Sequence, residues 1–355
     1  MQPRLPMASS DSGAPPVPRR KSATATIAEV ATRAGVGAST VSRVLNGGQV
    51  SSKARARVLA AIEDLDYRPS ASARSLVTGS TGTLALVIPF FTHPSAVERM
   101  RGVLTAVDAV GFELVVCNVA TPAHRDEYLG RRAPLDRSDG LLVTSMAPTD
   151  AEVEAFLRAR AAVVLLDAHH PRLPSVSIDD VEGGALATRH LIELGHERIA
   201  FVGDRPQPDF GFVASERRRD GYRRALEDAG LPVDPELERE GPHGRLVAHR
   251  LTRELLSLDE PPTAIFAASD TQALGVLEAA RYEGFDVPRE LSVVGFDDIE
   301  VAPYVGLTTV HQPLEESGAR GIQRLVAALC GDPGEPLGER LELELVVRRT
   351  SAAPA

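Results

Sequence analysis

The 355-residue chain is 43% hydrophobic, holds two cysteines and carries a formal charge of −10. That length and apolar content fit a small domain beside one large or two medium ones, and two cysteines cannot build a disulfide framework. The charge is uneven: residues 1–80 hold 11 Lys/Arg against 5 Asp/Glu, a net of +6, and the other 28 basic and 44 acidic residues give −16. An acidic total therefore does not exclude a basic module that meets nucleic acid.

Residues 1–23 are rich in Pro, Ser, Ala and Gly with no apolar run, which reads as a disordered tail rather than a signal peptide. Three short helices follow. Ile27, Val30, Ala31 and Ala34 share one helical face, Thr26 and Glu29 can form a capping box, and Gly35 stops the helix. A second helix turns Val41, Val44 and Leu45 inward and keeps a small or polar stripe of Ala38, Ser39, Ser42, Arg43 and Asn46 outside. The third opens at Ser51 or Ser52 and buries Val58, Ile62 and Leu65. Two helices across a tight Gly-containing turn, the second with a polar outer face, form a helix-turn-helix able to enter the major groove. The plainer alternative is a three-helix bundle with a solvated face. Ser70–Thr78 is too short to be a stable helix alone.

From Thr83 the pattern alternates. Apolar runs at Leu84–Ile88, Leu114–Val119, Gly140–Val143, Val163–Leu166, Ile199–Val202, Ala264–Ala267 and Leu291–Val294 read as buried strands. Amphipathic stretches at Ala96–Ala109, Gly183–Leu194, Arg217–Ala229, Thr271–Tyr282 and Leu314–Leu329 lie between and beyond them. That order implies parallel, doubly wound sheets, with too many units for one sheet and hence two similar lobes. Cys117 and Cys330 have apolar neighbours and read as inert core thiols suited to a reducing compartment. No segment reaches the roughly 20 apolar residues that span a bilayer.

Tyr67–Leu76 (YRPSASARSL) resembles the hinge of the lactose-repressor (LacI/GalR) family of bacterial transcription regulators, and Thr40–Asn46 (TVSRVLN) resembles its recognition helix. The two occur in family order, and the likeness runs over about residues 24–350. It implies a helix-turn-helix domain at 24–69, a hinge at 70–80, and an α/β periplasmic-binding-protein-like (type I) body at 81–350. In that body the chain crosses three times between lobe 1 (about 83–178 and 312–339) and lobe 2 (about 179–311 and 340–350).

The resemblance assigns base contacts to Ala38, Ser39 and Arg43, the last able to donate two hydrogen bonds to one guanine, worth roughly 1–3 kcal/mol of discrimination. Thr26, Thr40, Ser42, Asn46 and Ser51 match positions that hold phosphates or support the helix; helix capping is the plainer role for Thr26 and Ser51. In the hinge, Leu76 matches a minor-groove wedge and Ala73 permits close helix approach. Two departures stand out: Gly37 replaces the usual capping serine, and Ser70 an asparagine.

For the effector the resemblance points to Arg218, Asp297, Ser269 and Asp270, with Phe91 or Thr92 from the first lobe. Capping or lobe-closing hydrogen bonds are the plainer role for Asp270 and Asp297, and a solvated basic face is the plainer role for Arg218. The family's stacking aromatic falls near Pro242-His243-Gly244, and the chain has no tryptophan, so His243 or a phenylalanine would replace it. The implied partners are a near-palindromic double-stranded operator, a small effector (a carbohydrate, or else a nucleoside) and a second copy of the chain, with a tetramer as the alternative. The implied protein is a cytoplasmic repressor controlled by its ligand, and the residues leave open whether that ligand induces or co-represses. A sugar-binding protein without DNA regulation is the other reading; the basic N-terminal reader opposes it.

Enzyme chemistry finds no footing. Gly35–Thr40 follows a helix rather than a strand and lacks the third glycine of a dinucleotide loop. The histidines show no metal-ligand spacing, and there is no nucleophile elbow or phosphate-binding Walker loop. Neither a metal nor a cofactor is expected.

Overall fold

The computed structural model describes residues 25–45, 47–67, 80–207, 209–332, 334 and 337–355. Asn46, Ser70, Ala73, Leu76 and the tail lie outside them. The chain divides into two compact units, Met1–Thr78 and Gly79–Ala355.

In the first unit, α1 (Ile27–Ala34), α2 (Ala38–Leu45) and α3 (Ser52–Asp64) surround Val30, Ala31, Ala34, Val41, Val44, Val58, Ala61 and Tyr67. The capping box is formed: the Thr26 amide donates to Glu29 Oε2 at 2.6 Å, and the Glu29 amide donates to Thr26 Oγ1 at 3.3 Å. Gly35, at φ 62°, closes α1 in the left-handed conformation that a side chain would strain. Leu45, Ile62 and Leu65 are only partly buried, and Ala61 and Tyr67 complete the core beside them.

The second unit holds two six-stranded sheets. The first contains β1 (Thr83–Pro89), β2 (Glu113–Val119), β3 (Gly140–Thr144), β4 (Ala162–Leu166) and β5 (Ser175–Ser177). The second contains β6 (Ile199–Asp204), β7 (Glu238–Gly241), β8 (Ala264–Ala267), β9 (Ser292–Asp297) and β10 (Thr308–His311). The C-terminal segment is shared: β11 (Gly338–Arg340) pairs with β5, and β12 (Glu344–Val346) pairs antiparallel with β10. The orders are β11-β5-β4-β3-β1-β2 and β12-β10-β9-β8-β6-β7, with every other pairing parallel. The chain thus passes between sheets after β5, after β10 and after β11.

The helices used below are α4 (Pro94–Val110), α5 (Pro122–Arg125), α6 (Asp150–Arg158), α7 (Asp180–Glu193), α8 (Ala214–Asp228), α9 (Arg245–Leu256), α10 (Asp270–Glu283), α11 (Ala302–Val305) and α12 (Leu314–Leu329). Tight helix crossings occur in both lobes. A Cβ on Gly318 of α12 would lie 2.2 Å from Arg99 O of α4, and one on Gly221 of α8 would lie 1.9 Å from Val181 O of α7. Helix backbones meet directly there, which fixes Arg99 and Arg218 relative to their sheets. The cysteine expectation needs correction: Cys330 is exposed and Cys117 half-buried. Cys330 ends an amphipathic helix, and Cys117 lies on an edge strand, so apolar neighbours in sequence did not mean burial.

Candidate functional site

On α2, Ala38, Ser39 and Arg43 face solvent, while Thr40 and Ser42 are half-buried. Ser39 and Arg43 are four residues apart and share one helical face. At the start of α2 the Gly37 carbonyl accepts the Thr40 and Val41 amides at 2.9 and 3.3 Å. A Cβ on Gly37 would meet only Ser39 Oγ, at 3.7 Å, so the backbone leaves room for a serine. The Thr26 and Ser51 hydroxyls each accept an amide at 3.3 Å, from Glu29 and Ala54. Both residues cap helices.

In the second unit, the C-terminal strand ends of the two sheets bound a common cleft, the usual ligand position in open parallel sheets. Non-glycine residues with positive φ cluster at these ends: Phe90 after β1, Ser145 after β3, Asp167 after β4, and Asp297 and Asp298 at β9. Strained backbone of this kind persists where a site requires it. A cavity of about 180 Å³ lies between the lobes. Phe90, His93, Arg99, Thr144, Ser145 and Asp167 line it from the first lobe, and Asp204, Gln207, Phe212 and His243 from the second. Thr144 Oγ1 is buried and has no hydrogen-bond partner among the described residues, so a ligand hydroxyl would satisfy it. A wider compartment of about 770 Å³ adjoins, lined by Thr92, Glu98, Arg101, Arg245, Glu300 and Tyr304, and shares His93 and His243 with the first.

The residues expected to bind the effector are spread over three settings. His243 lines both compartments and Thr92 the wider one, while Phe91 is exposed and its neighbour Phe90 faces the inner cavity. Arg218 and Asp297 lie buried beneath the cavity. Arg218 Nε donates to Asp180 Oδ1 at 2.9 Å and Nη1 to Ala268 O at 2.7 Å; Nη1 also lies 3.6 Å from Asp297 Oδ1. The guanidinium stacks 3.6 Å above the Phe296 ring. Asp297 Oδ1 accepts from Gln312 Nε2 at 2.5 Å. Ser269 caps α10, accepting the Gln272 amide at 3.2 Å. Asp270 joins strands and loop, accepting from Thr309 Oγ1 at 2.6 Å and from the Ile299 amide at 2.9 Å.

Burial sets the electrostatics. It pushes the Asp297 carboxyl up to about 6, against the pull of the nearby Arg218. Asp270 is raised well above the usual carboxylate range, first by burial and then by the charge of Asp297. At His243 burial favours the neutral ring, but the hydrogen bond and charge of Asp204 outweigh it and raise the pKa. His243 Nδ1 lies 3.1 Å from Asp204 Oδ1; an ionised carboxylate only accepts, so Nδ1 carries the proton. His93 is lowered, first by burial and then by His243.

The model for bacterial regulatory proteins of the lacI family matches residues 26–70, and that for a periplasmic binding protein-like domain matches residues 188–351. The HTH-type transcriptional regulator CelR of Thermobifida fusca is 36% identical over 337 residues, covering 92% of this chain and 98% of CelR. The chain belongs to the LacI family. It is therefore a helix-turn-helix, DNA-binding transcription regulator with a two-lobed body. Among solved structures, a CelR–cellobiose complex is 34% identical with a TM-score of 0.68, covering 92% of this chain and 99% of that one. The lac repressor dimer bound to operator and the anti-inducer ONPF is 27% identical with a TM-score of 0.79, covering 93% and 100%.

In this LacI-family body the lobes also touch outside the inner cavity, first at the wall of the wider compartment. Arg101 of α4 pairs with Glu300 at 2.8 Å, and the Glu300 amide donates to Glu98 Oε1 at 2.6 Å. Phe210, from the loop after β6, is buried in the core of the first lobe and packs on Phe90 at 5.9 Å between ring centroids. Sequence reasoning missed Arg99, Thr144, Ser145, Asp167 and Asp204. The last four share one signal, a polar residue at or just after the end of an apolar strand run. Arg99 has none: it sits on a helix, where it pairs with Asp167 and donates to Ser317 Oγ at 2.9 Å. No helix among the described residues is long and apolar enough to cross a membrane.

Proposed function

We propose that this LacI-family regulator is a cytoplasmic, homodimeric repressor of a near-palindromic operator, and that a small carbohydrate in the interlobe cleft sets its operator affinity. The observation that carries the effector half is the cavity at opposed strand ends, with its unpartnered Thr144 hydroxyl, carboxylates and flat rings. Carboxylates and hydroxyls exchange hydrogen bonds with sugar hydroxyls, and rings cover the apolar sugar face. A volume of about 180 Å³ is below the roughly 300–1,000 Å³ of drug-sized sites, which suits a single ring. The cellobiose of the matched CelR structure supports the same chemical class.

In the DNA half, Arg43 and Ser39 would read base edges and Ala38 a thymine methyl, while Thr26, Thr40, Ser42, Asn46 and Ser51 position the helix on phosphates. Leu76, assisted by Ala73 in a 70–80 hinge, would wedge the minor groove. Arg218 and Asp297, which line neither compartment, would act on the effector through their charge and through the strand ends they brace, with Ser269 and Asp270 supporting the same ends. Leu104 on α4 and Val116 on edge strand β2 are exposed apolar side chains that a second copy would cover.

The test is selection of genomic DNA fragments by the purified protein near physiological salt, followed by thermal-shift screening against sugars and nucleosides. Enrichment of a palindromic site and stabilisation by sugars support the reading. Enrichment with stabilisation only by nucleosides overturns the effector class, and failure to enrich any site with every ligand pool overturns the operator half.

A further inference from the structure

His93, from the first lobe, and His243, from the second, stack across the cleft with ring centroids 4.8 Å apart and an interplanar angle of 25°. His93 also stacks on Phe90 of its own lobe at 5.3 Å and 17°, so three rings form one column bridging the lobes. The two imidazoles stand where the inner and wider compartments meet. Their surroundings are unlike. His243 rests on Asp204, which also accepts from Gln272 Nε2 at 2.9 Å, and this carboxylate welcomes a proton on the ring. His93 is the N-cap residue of α4 and makes no capping bond with its side chain. The partial positive charge of a helix N-terminus opposes a cation there.

We propose that this stack is a proton-sensitive clasp on the effector cleft, holding the lobes together while His93 is neutral and releasing them when both rings are protonated. The proposal concerns the regulation of the cleft and depends on the effector reading only for its consequence for binding. With His243 protonated and His93 neutral, the column combines ring stacking with a cation–π-like attraction. With both protonated, two like charges face each other in a half-buried site, and parting the lobes relieves them. The other charges facing the pair reduce this without reversing it. From the second lobe, Asp204 favours protonation of both rings, but burial and His243 outweigh it at His93; Asp297 favours protonation of His243 and Arg218 opposes it. In the wider compartment Glu98 and Glu300 stand with Arg101 and Arg245, and Arg101 pairs with Glu300. From the first lobe, Arg99 and Asp167 neutralise each other.

The sign follows. Burial, and then the charge of His243 across the cleft, lower the pKa of His93 more than Asp204 across the cleft raises it, so closure is fully favoured above the ordinary histidine value and weakens as pH falls below it. His243 is raised by Asp204 and Asp297 of its own lobe, which stay with it when the lobes part, so its proton is present in both states and gives closure no pH dependence of its own.

The test is hydrogen–deuterium exchange of the full-length protein without effector at about pH 7.5 and about pH 5.5, corrected for intrinsic exchange. Peptides covering 90–97 and 241–247 are followed in wild type, His93→Phe and His243→Phe, since phenylalanine keeps a stacking ring that cannot charge. In wild type, protection in both peptides is expected to fall by roughly threefold or more on acidification, to stay level in His93→Phe, and to fall less than in wild type in His243→Phe, where the burial of His93 remains. Imidazole NMR in the same proteins should place the His93 midpoint below that of His243, and His243→Phe should raise it. Equal acid-induced loss in wild type and the phenylalanine variants, or no loss in wild type, overturns the clasp. Neither outcome touches the effector reading, because no effector is present.

Discussion

Asp297→Asn isolates the buried charge beneath the cleft. Asp297 is 4% exposed, and burial lifts its carboxyl from the usual 3.8 to about 6. At about 1.36 kcal/mol per pH unit, that rise corresponds to about 3 kcal/mol of penalty on the ionised form. The folded state therefore holds more protons than the unfolded chain between about pH 4 and 6, and stability falls as pH rises through that window. Asparagine keeps the shape and an acceptor for Gln312 Nε2 but does not titrate. Arg218 retains Asp180 and the Ala268 carbonyl as partners. The substitution also relieves Asp270, whose pKa Asp297 helps to raise, and that change has the same sign. The stability of Asp297→Asn relative to wild type should therefore improve by about 2–3 kcal/mol between about pH 4 and pH 7. Urea unfolding followed by far-UV circular dichroism at several pH values measures this difference, in which the titrating groups that Asp297 does not influence cancel. A pH-independent difference between the two proteins would refute the reasoning.

Arg43→Ala should cost roughly 1–3 kcal/mol of operator affinity and much less on random DNA, as read by fluorescence anisotropy on both duplexes. Leu76→Ala should likewise weaken operator binding far more than non-specific binding, and equal losses would sink the wedge. Thr144→Val should leave the melting temperature level or raised, because it removes an unpartnered buried hydroxyl, while weakening effector binding in calorimetry. Gly221→Ala should destabilise the body by roughly 3 kcal/mol or more in urea melts; its Cβ would sit 1.9 Å from Val181 O.

The helical unit was legible because its signals are local. Thr26 with Glu29, Gly35, and the spacing of Val30, Ala31 and Ala34 fix α1 without help from the rest of the chain. The central strands were legible as apolar runs, since strands covered on both faces must be apolar throughout. Strands β5 and β7 were missed because they are short or polar: Ser175–Ser177 and the edge strand Glu238–Gly241 carry no such run. Strand β10 was missed because it buries two threonines, Thr308 and Thr309, whose hydroxyls are satisfied by Arg348, Ser351 and Asp270. The passages between lobes depend on pairings such as Gly338↔Ser175, over 160 residues apart, and only the family resemblance suggested them. Within the cleft, composition cannot say that Phe90 rather than Phe91 turns inward; the positive φ of Phe90 decides it. Nor can it say that Arg218 is spoken for by Asp180 and Ala268, because both partners are distant in sequence.

The most direct test of the central claim is the affinity for the selected operator, measured by anisotropy with and without the stabilising sugar, in wild type and in Thr144→Val. The expected result is a shift in wild-type operator Kd of at least about tenfold, or about 1.4 kcal/mol. Thr144→Val should need more sugar to reach the same shift. An operator Kd that does not change at saturating sugar would contradict the account, because a ligand that binds both states equally controls nothing.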